Sequence, residues 1–208
     1  MIDCQIEAGL WTVTLNRPDK ANSLTAAMLE QMSVILDEAA ADAQIRALIL
    51  TGAGEKVFSA GADLDEARAG LALSPLWERV SGGIAALPCL TIAALNGTLA
   101  GGAFGMALAC DLRLAVPQAR FFYPVAKLGF LPQPSDPGRL VALMGPARAK
   151  LVLLAGQKLT ADEALSFGLI DRITLPEHLV EQARGLAEDA LAGKPEVLHR
   201  IKDMCAGT

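Results

Sequence analysis

Two glycine-rich segments, each placed between a short apolar strand and a predicted helix, constrain the fold of this chain more than any other feature. The segments are residues 58–64 (FSAGADL) and residues 96–103 (NGTLAGGA). Residues with no side chain, or with only a methyl group, allow backbone N–H groups to approach a ligand closely. Strands that alternate with helices favour an α/β fold with a mainly parallel sheet, and such folds bind ligands at strand ends. We therefore expect the two segments to form a binding site.

The hydrophobic pattern predicts further strands and helices along the chain. Strands are expected at residues 10–16, 46–50, 90–95, 112–116, 120–123 and 169–174. Helices are expected at residues 25–43, 103–110, 146–155, 176–193 and 195–205, and a short helix begins at the predicted capping box of residues 160–163. Residues 132–138 contain three prolines and are expected to form a loop.

The composition argues against several classes of function. The chain has 208 residues, a formal net charge of −5 and no dense cluster of lysine and arginine, so a nucleic-acid partner is not expected. No uninterrupted apolar run approaches the ~18 residues of a membrane-spanning helix, and the N-terminus lacks the pattern of a signal peptide. The four cysteines form no C-x-x-C pair, so we expect no metal site and a reducing, cytoplasmic location.

Other interpretations of the glycine segments compete with a ligand site. Glycines at strand ends often form tight turns and nothing more. Residues 52–57 (GAGEKV) follow a strand, but Val57 replaces the third glycine of a dinucleotide fingerprint, and no G-x-x-x-x-G-K-[ST] motif occurs. A serine hydrolase based on Ser59 or Ser135 has no G-x-S-x-G motif, and neither His178 nor His199 lies in a suitable position. The nucleotide interpretations fail, and the hydrolase has no support.

Several further motifs accompany the two glycine segments in a fixed order. They are LNRPDKANSL at residues 15–24, ACD at 109–111, LG at 128–129 with Pro132, RL at 139–140, LTADEA at 159–164 and FGLID at 167–171. Over nearly the whole chain, this set resembles the enoyl-CoA hydratase/isomerase (crotonase) family. The resemblance implies a crotonase-like α/β fold of repeated ββα units, in which a mainly parallel sheet is flanked by helices. It also implies a core over residues 1–175, a C-terminal helical segment over residues 176–208 that is shorter than in the family, and a homo-oligomer, in the family a trimer.

The same resemblance assigns roles to residues of the two segments. The backbone N–H groups of Ala62 and Gly102 are expected to form an oxyanion hole for the thioester oxygen of an acyl-CoA. Coenzyme A would enter as part of the substrate, with no permanently bound cofactor and no metal. The residues expected to contact it are Lys20, Ala21, Ala60, Gly61, Ala62, Asp63 and Leu64.

The chain departs from the family where hydratases carry two glutamates. Those positions fall on Gly105 and Val125, neither of which can move a proton. We therefore expect isomerisation or another proton transfer, decarboxylation or hydrolysis rather than hydration. Asp136 and Tyr123 are candidate acid/base residues, although a surface-loop aspartate and a half-buried structural tyrosine are the alternatives. A non-catalytic acyl-CoA-binding relative or assembly subunit is the alternative function.

Overall fold

The structure of the protein is a computed structural model that describes residues 1–206. Within the described residues, ten strands lie in two sheets. In chain order they are β1 (Ile2–Glu7), β2 (Leu10–Leu15), β3 (Ala47–Gly52), β4 (Val57–Ser59), β5 (Leu90–Leu95), β6 (Thr98–Ala100), β7 (Leu112–Ala115), β8 (Arg120–Phe122), β9 (Leu159–Thr160) and β10 (Arg172–Ile173).

The α-helices pack around these two sheets. In chain order they are α1 (Ala26–Ala41), α2 (Leu64–Arg68), α3 (Leu76–Ala86), α4 (Phe104–Ala109), α5 (Val125–Leu128), α6 (Asp136–Leu153), α7 (Ala161–Phe167), α8 (Leu179–Leu186), α9 (Glu188–Ala192) and α10 (Pro195–Ala206). Short 3-10 turns occur at Pro18–Lys20, Leu71–Leu73, Gly101–Ala103 and Pro176–His178. None of the helices described in residues 1–206 combines the length and the apolar character needed to cross a bilayer.

From β3 to β8, successive strands alternate between the two sheets. The larger sheet has the order β1-β2-β3-β5-β7-β10 and is parallel except for the β1/β2 pair, while the smaller has the order β4-β6-β8-β9 and is parallel except for β8/β9. In the first ββα unit both strands, β1 and β2, join the larger sheet. In the units that begin at β3, β5 and β7, the first strand joins the larger sheet and the second joins the smaller one. The predicted α/β fold of repeated ββα units is therefore confirmed.

Local sequence explains the elements that were predicted correctly. Helix α1 begins where the Thr25 side chain accepts a hydrogen bond from the N–H of Met28, and it buries one apolar stripe. Every residue of β3 is buried, as expected for a strand covered on both faces. At α7 the Thr160 and Glu163 side chains form the predicted capping box.

The structure departs from the predicted secondary structure at one strand that was missed and at four predicted elements. Strand β1 was not predicted, because most of its residues are exposed and lack apolar alternation. The predicted loop 132–138 ends at Asp136, where α6 begins with Pro137 in its first turn, a position that needs no N–H donor. Helix α6 then continues through a kink at Gly145 (φ 79°) to Leu153, so it includes most of the helix predicted at residues 146–155. The predicted strand 169–174 shortens to Arg172–Ile173, and the predicted helix 176–193 divides into a 3-10 turn, α8 and α9.

The C-terminal helices contact the core in two ways. Helix α8 buries Leu179 and Ala183. From α10, the Lys202 ammonium donates hydrogen bonds of 2.9 Å to the carbonyl of Cys89 and to Oδ2 of Asp111. Helices α8 and α10 are thus attached to the larger sheet at separate points. A division of the chain at residue 175 stays a prediction.

Candidate active site

The two glycine-rich segments touch each other at Gly61 and Gly102. A Cβ atom added to Gly61 would lie 2.9 Å from the carbonyl oxygen of Ala100 and 3.2 Å from the nitrogen of Gly102. Gly61 also has φ +89° and Gly101 has φ +58°, a left-handed conformation that favours glycine. The absence of side chains therefore brings the two backbones together.

Two buried asparagine side chains hold the strand ends that precede these segments. Oδ1 of Asn96 accepts a hydrogen bond of 3.1 Å from the N–H of Gly52, and its Nδ2 donates to the carbonyl of Gly54. Nδ2 of Asn22 donates to the carbonyls of Ala53 and Val57, each at 2.9 Å. Because these amides satisfy backbone groups that no strand pairs, the loops adopt one defined position.

The backbone of Ala62 is fixed with its N–H group left free. Leu24 bridges to Ala62: its N–H donates to the carbonyl of Gly61, and its carbonyl accepts from the N–H of Asp63. In a parallel bridge of this kind the N–H of Ala62 points away from Leu24. Within residues 1–206 the N–H groups of Ala62 and Gly102 donate no hydrogen bond, and Gly102 lies in the first turn of the 3-10 segment, where such donors lack partners.

Ala62 and Gly102 line an apolar cavity of about 160 Å³. The indole ring of Trp77 packs against Gly102, and a Cβ atom there would lie 3.2 Å from it. Other walls come from β8 and the residues that follow it, including Tyr123, Val125 and Gln133. The cavity thus places two unpaired N–H donors beside apolar surface, where a hydrogen bond to a developing negative charge is strong.

Tyr123 connects this cavity to Asp136. The tyrosine is 2% exposed, and its ring stacks on Phe104 with ring centres 5.3 Å apart. Its hydroxyl donates a hydrogen bond of 2.9 Å to Oδ2 of Asp136, while the N–H of Gln133 donates to the hydroxyl at 3.4 Å. The expectation of a surface-loop aspartate is wrong: Asp136 is the first residue of α6 and is completely buried. The structure brings these two candidates together, with Asp136 behind Tyr123.

The carboxylate of Asp136 has few groups to stabilise its charge. Oδ1 has no hydrogen-bond partner among the described residues, and Nη1 of Arg139 is 4.0 Å away. Burial raises the pKa of Asp136 to about 6, and the charge of Glu78 acts in the same direction, against the Tyr123 hydrogen bond and Arg139. Burial and the neighbouring Asp136 charge also raise the pKa of Tyr123 far above its usual value.

Gly105 and Val125 lie where the glutamates of related hydratases were expected. A Cβ atom on Gly105 would lie 3.0 Å from Oδ1 of Asp136, so the carboxylate carried by α6 fills the space beside this position of α4. Val125 lines the cavity and is 8% exposed. The site therefore has a buried acid beside one of the two positions, but it comes from a different helix.

The residues expected to contact coenzyme A occupy three places. Ala60, Ala62 and Leu64 line the cavity, and Gly61 is the contact between the segments. Lys20 and Ala21 lie at the nearby 3-10 turn, where Ala21 lines a second cavity of about 600 Å³ together with Lys56. Asp63 caps α2, and its Oδ2 accepts a hydrogen bond of 2.8 Å from Nη1 of Arg17. This hydrogen bond lowers the pKa of Asp63.

Sequence reasoning missed Glu78 on α3. Oε1 of Glu78 accepts a hydrogen bond of 3.0 Å from the N–H of Ser135, and Oε2 accepts one of 2.6 Å from its hydroxyl. This fixes the residue next to Asp136 and places a second carboxylate near the buried one. No motif marks Glu78, because its partner lies 57 residues further along the chain.

The structure gives the two candidate serine nucleophiles other partners. Ser59 is completely buried, and its hydroxyl donates to the carbonyl of Asn22. Ser135 donates to Glu78, whereas His178 and His199 lie beside Glu181 and Asp203 on helix surfaces. No Ser-His pair is formed among the described residues, and they contain no group of three or more His, Cys, Asp or Glu side chains placed to hold a metal ion.

Comparisons with known proteins show the family and the fold of this chain. The model of the enoyl-CoA hydratase/isomerase family matches residues 5–207. YngF of Bacillus subtilis, provisionally named an enoyl-CoA hydratase/isomerase, is 40% identical over 91% of this chain and 75% of its own length. The short-chain-enoyl-CoA hydratase of Clostridium acetobutylicum is 36% identical over 91% of this chain and 74% of its own. A crystal structure of enoyl-CoA hydratase from Bacillus anthracis superposes with a TM-score of 0.92 at 33% identity, covering 99% of this chain and 82% of that one. This chain therefore belongs to the enoyl-CoA hydratase/isomerase (crotonase) family.

Proposed function

We propose that this protein binds an acyl-CoA thioester and stabilises its enolate through the N–H groups of Ala62 and Gly102. The observation that carries the proposal is the pair of unpaired N–H donors on one apolar cavity. When the α C–H bond of a thioester breaks, its electron pair moves onto the carbonyl oxygen. Preorganised donors aimed at that oxygen stabilise the charge as it develops. Coenzyme A contributes as the carrier of the acyl group.

The proposed reaction is isomerisation or another proton transfer at the acyl chain. Decarboxylation, which forms the enolate by breaking a C–C bond, and hydrolysis, whose tetrahedral oxyanion the same two donors would stabilise, are further candidates. Hydration is less favoured, since adding water across a double bond uses a base and an acid that hold the water. Gly105 and Val125 supply neither. The cavity beside Ala62 and Gly102 has a volume of about 160 Å³, which suits a short acyl chain.

Isotope exchange tests the proposed function. The purified protein would be incubated in D₂O with enoyl-, saturated, malonyl-type and hydroxyacyl-CoA thioesters, and their masses read over time. Deuterium uptake at the α-carbon, or a mass change in one thioester, is expected in the native protein and should be lost in Gly102→Pro, which removes one donor. Binding without exchange or turnover of any thioester would instead indicate a non-catalytic acyl-CoA-binding protein.

Large apolar side chains on the surface bear on how the protein assembles. We propose a homo-oligomer, a trimer by family resemblance, because large apolar side chains such as Leu131 (81% exposed) and Leu154 (70% exposed) remain uncovered on the single chain. Light scattering on the purified protein would give the subunit number.

We also propose a cytoplasmic location, which is supported by four free cysteines.

A further inference from the structure

Enolate chemistry needs a group that takes up the proton, and the cavity offers one. Of the described residues that line it, Tyr123 alone has a titratable side chain. The indole N–H of Trp77 already donates a hydrogen bond of 2.8 Å to the carbonyl of Leu71. A neutral phenol is a weak base, so it can accept a proton from carbon only if its own proton leaves at the same time.

Asp136 provides the place for that second proton. Its Oδ2 accepts the Tyr123 hydrogen bond at 2.9 Å, and its Oδ1 is buried without a hydrogen-bond donor. A carboxylate in such surroundings gains more from protonation than an exposed one, because burial disfavours its charged form. Other charged groups facing it are Arg139, on its own helix, and Glu78, on α3. From α4 the contact is Gly105, which carries no charge.

We propose that Tyr123 and Asp136 form a proton relay for the acyl group, with Tyr123 as the catalytic residue and Asp136 as the positioning residue behind it. As the α C–H bond breaks, the phenol oxygen takes the proton while the phenol proton moves to Oδ2 of Asp136. The electron pair of the C–H bond moves to the thioester oxygen. Reversal of both transfers at a different carbon of the enolate completes an isomerisation, so no other reactant is consumed. The relay rests on the proposed function.

Glu78 tunes this relay without touching the substrate. Its two hydrogen bonds to Ser135 fix the residue that precedes Asp136, and its negative charge disfavours ionisation of Asp136. We expect Glu78→Gln to keep the shape of the cluster and to make ionisation of Asp136 easier. An effect on pH dependence, with little effect on the rate at high pH, distinguishes this role from a structural one.

The first measurement is α-proton exchange of butyryl-CoA and 3-butenoyl-CoA in D₂O as a function of pH. The relay requires ionised Asp136, so exchange should fall as the pH drops below about 6. Tyr123→Phe, which keeps the ring on Phe104, and Asp136→Asn should each slow exchange by ~100-fold or more, the usual contribution of general acid–base groups. Glu78→Gln should move the fall to lower pH, and the exposed Asp37→Asn, whose Arg79 partner is on the same helix as Glu78, should not.

The second measurement uses the fact that Tyr123 is the only tyrosine in the chain. With ¹³C placed at the phenol carbon, its single NMR signal should titrate near pH 6, shift its midpoint downward in Glu78→Gln and stop titrating in Asp136→Asn. The relay is overturned if Tyr123→Phe keeps more than a tenth of the native exchange rate, or if the signal does not titrate. Exchange that is lost in Gly102→Pro but kept in Tyr123→Phe would leave the proposed function standing and remove the relay alone. No exchange in the native protein would remove both.

Discussion

The hydroxyl of Tyr123 is hydrogen-bonded to Oδ2 of Asp136 at 2.9 Å, and the two residues are 2% and 0% exposed. They come from separate parts of the chain: Tyr123 directly follows β8, and Asp136 is the first residue of α6. A buried acid with one unpartnered oxygen costs stability, because the charged form loses its hydration. The pair should therefore affect the stability of the protein as well as its chemistry.

Asp136→Asn is expected to stabilise the protein at pH 8 more than at pH 4.5. The pKa of Asp136 is raised from 3.8 to about 6, so the folded state binds more protons than the unfolded state between these values. The stability contributed by this group therefore falls as the pH rises from about 4 to about 6, by about 3 kcal/mol in total. Urea unfolding of both proteins at both pH values measures the difference. An equal effect of the substitution at the two pH values would contradict the prediction.

Gly105→Ala is expected to destabilise the protein by about 1–3 kcal/mol, as overpacking of a filled core does. The added Cβ atom would meet Oδ1 of Asp136 at 3.0 Å. In the background of Asp136→Ala the same change should be neutral or stabilising, because alanine favours a helix over glycine by up to about 1 kcal/mol. A double-mutant cycle from urea unfolding gives the coupling. If Gly105→Ala costs the same in both backgrounds, the two positions are not in contact.

Gly61→Ala is expected to lower both stability and α-proton exchange, whereas Gly70→Ala is expected to leave exchange intact. Both glycines have positive φ, +89° and +110°, so both changes strain the backbone by about 1–3 kcal/mol. Only at Gly61 would the new Cβ atom meet backbone, 2.9 Å from the carbonyl of Ala100; at Gly70 the space is open. Displacing Ala62 from Gly102 should reduce exchange by ~100-fold or more, as loss of an oxyanion donor does. Similar exchange rates in the two variants would argue against this spacing.

Asn96→Ala is expected to cost about 2–6 kcal/mol of folding stability, since each of two buried groups left without a partner costs about 1–3 kcal/mol. The N–H of Gly52 and the carbonyl of Gly54 would lose the amide that satisfies them. Asn16, whose amide bonds to Asp3 at the surface, provides the matched control. Its change to alanine should stay within about 0.5 kcal/mol, as at most exposed positions. Thermal and urea unfolding of both variants would reveal whether the buried amide matters.

Much of the fold could be predicted from local pattern. Helix α1, the fully buried β3 and the capping box of α7 each carry their signal within a few neighbouring residues. Strand β1 carries no such signal, because it pairs along one edge with most side chains in solvent. Strands β4 and β6 have three residues each and lie within or beside the glycine segments, where a period cannot be seen.

The candidate site was predictable only in part, because some of its residues are brought together by contacts between distant segments of the chain. The composition of the two glycine segments predicted a joint binding site, and the family resemblance then named Ala62 and Gly102 within them. The burial of Asp136 depends on α3 and α4, which lie elsewhere in the chain, and its three neighbouring prolines suggested an exposed loop. Glu78 matters only because Ser135 folds against it. Contacts between distant segments carry no local pattern.

The alternation of strands between two sheets also affects how fast this protein can fold. Neighbours in the larger sheet are far apart in the chain: Ala47 pairs with Leu90, and Arg172 pairs with Leu114. Such non-local pairing slows folding, because long loops must close before the contacts that reward closure exist. The two glycine segments meet where β4 pairs with β6, and these two strands are also separated along the chain. A nascent chain emerging from the ribosome therefore cannot bring Gly61 and Gly102 together before both segments, which end at residue 103, have been synthesised.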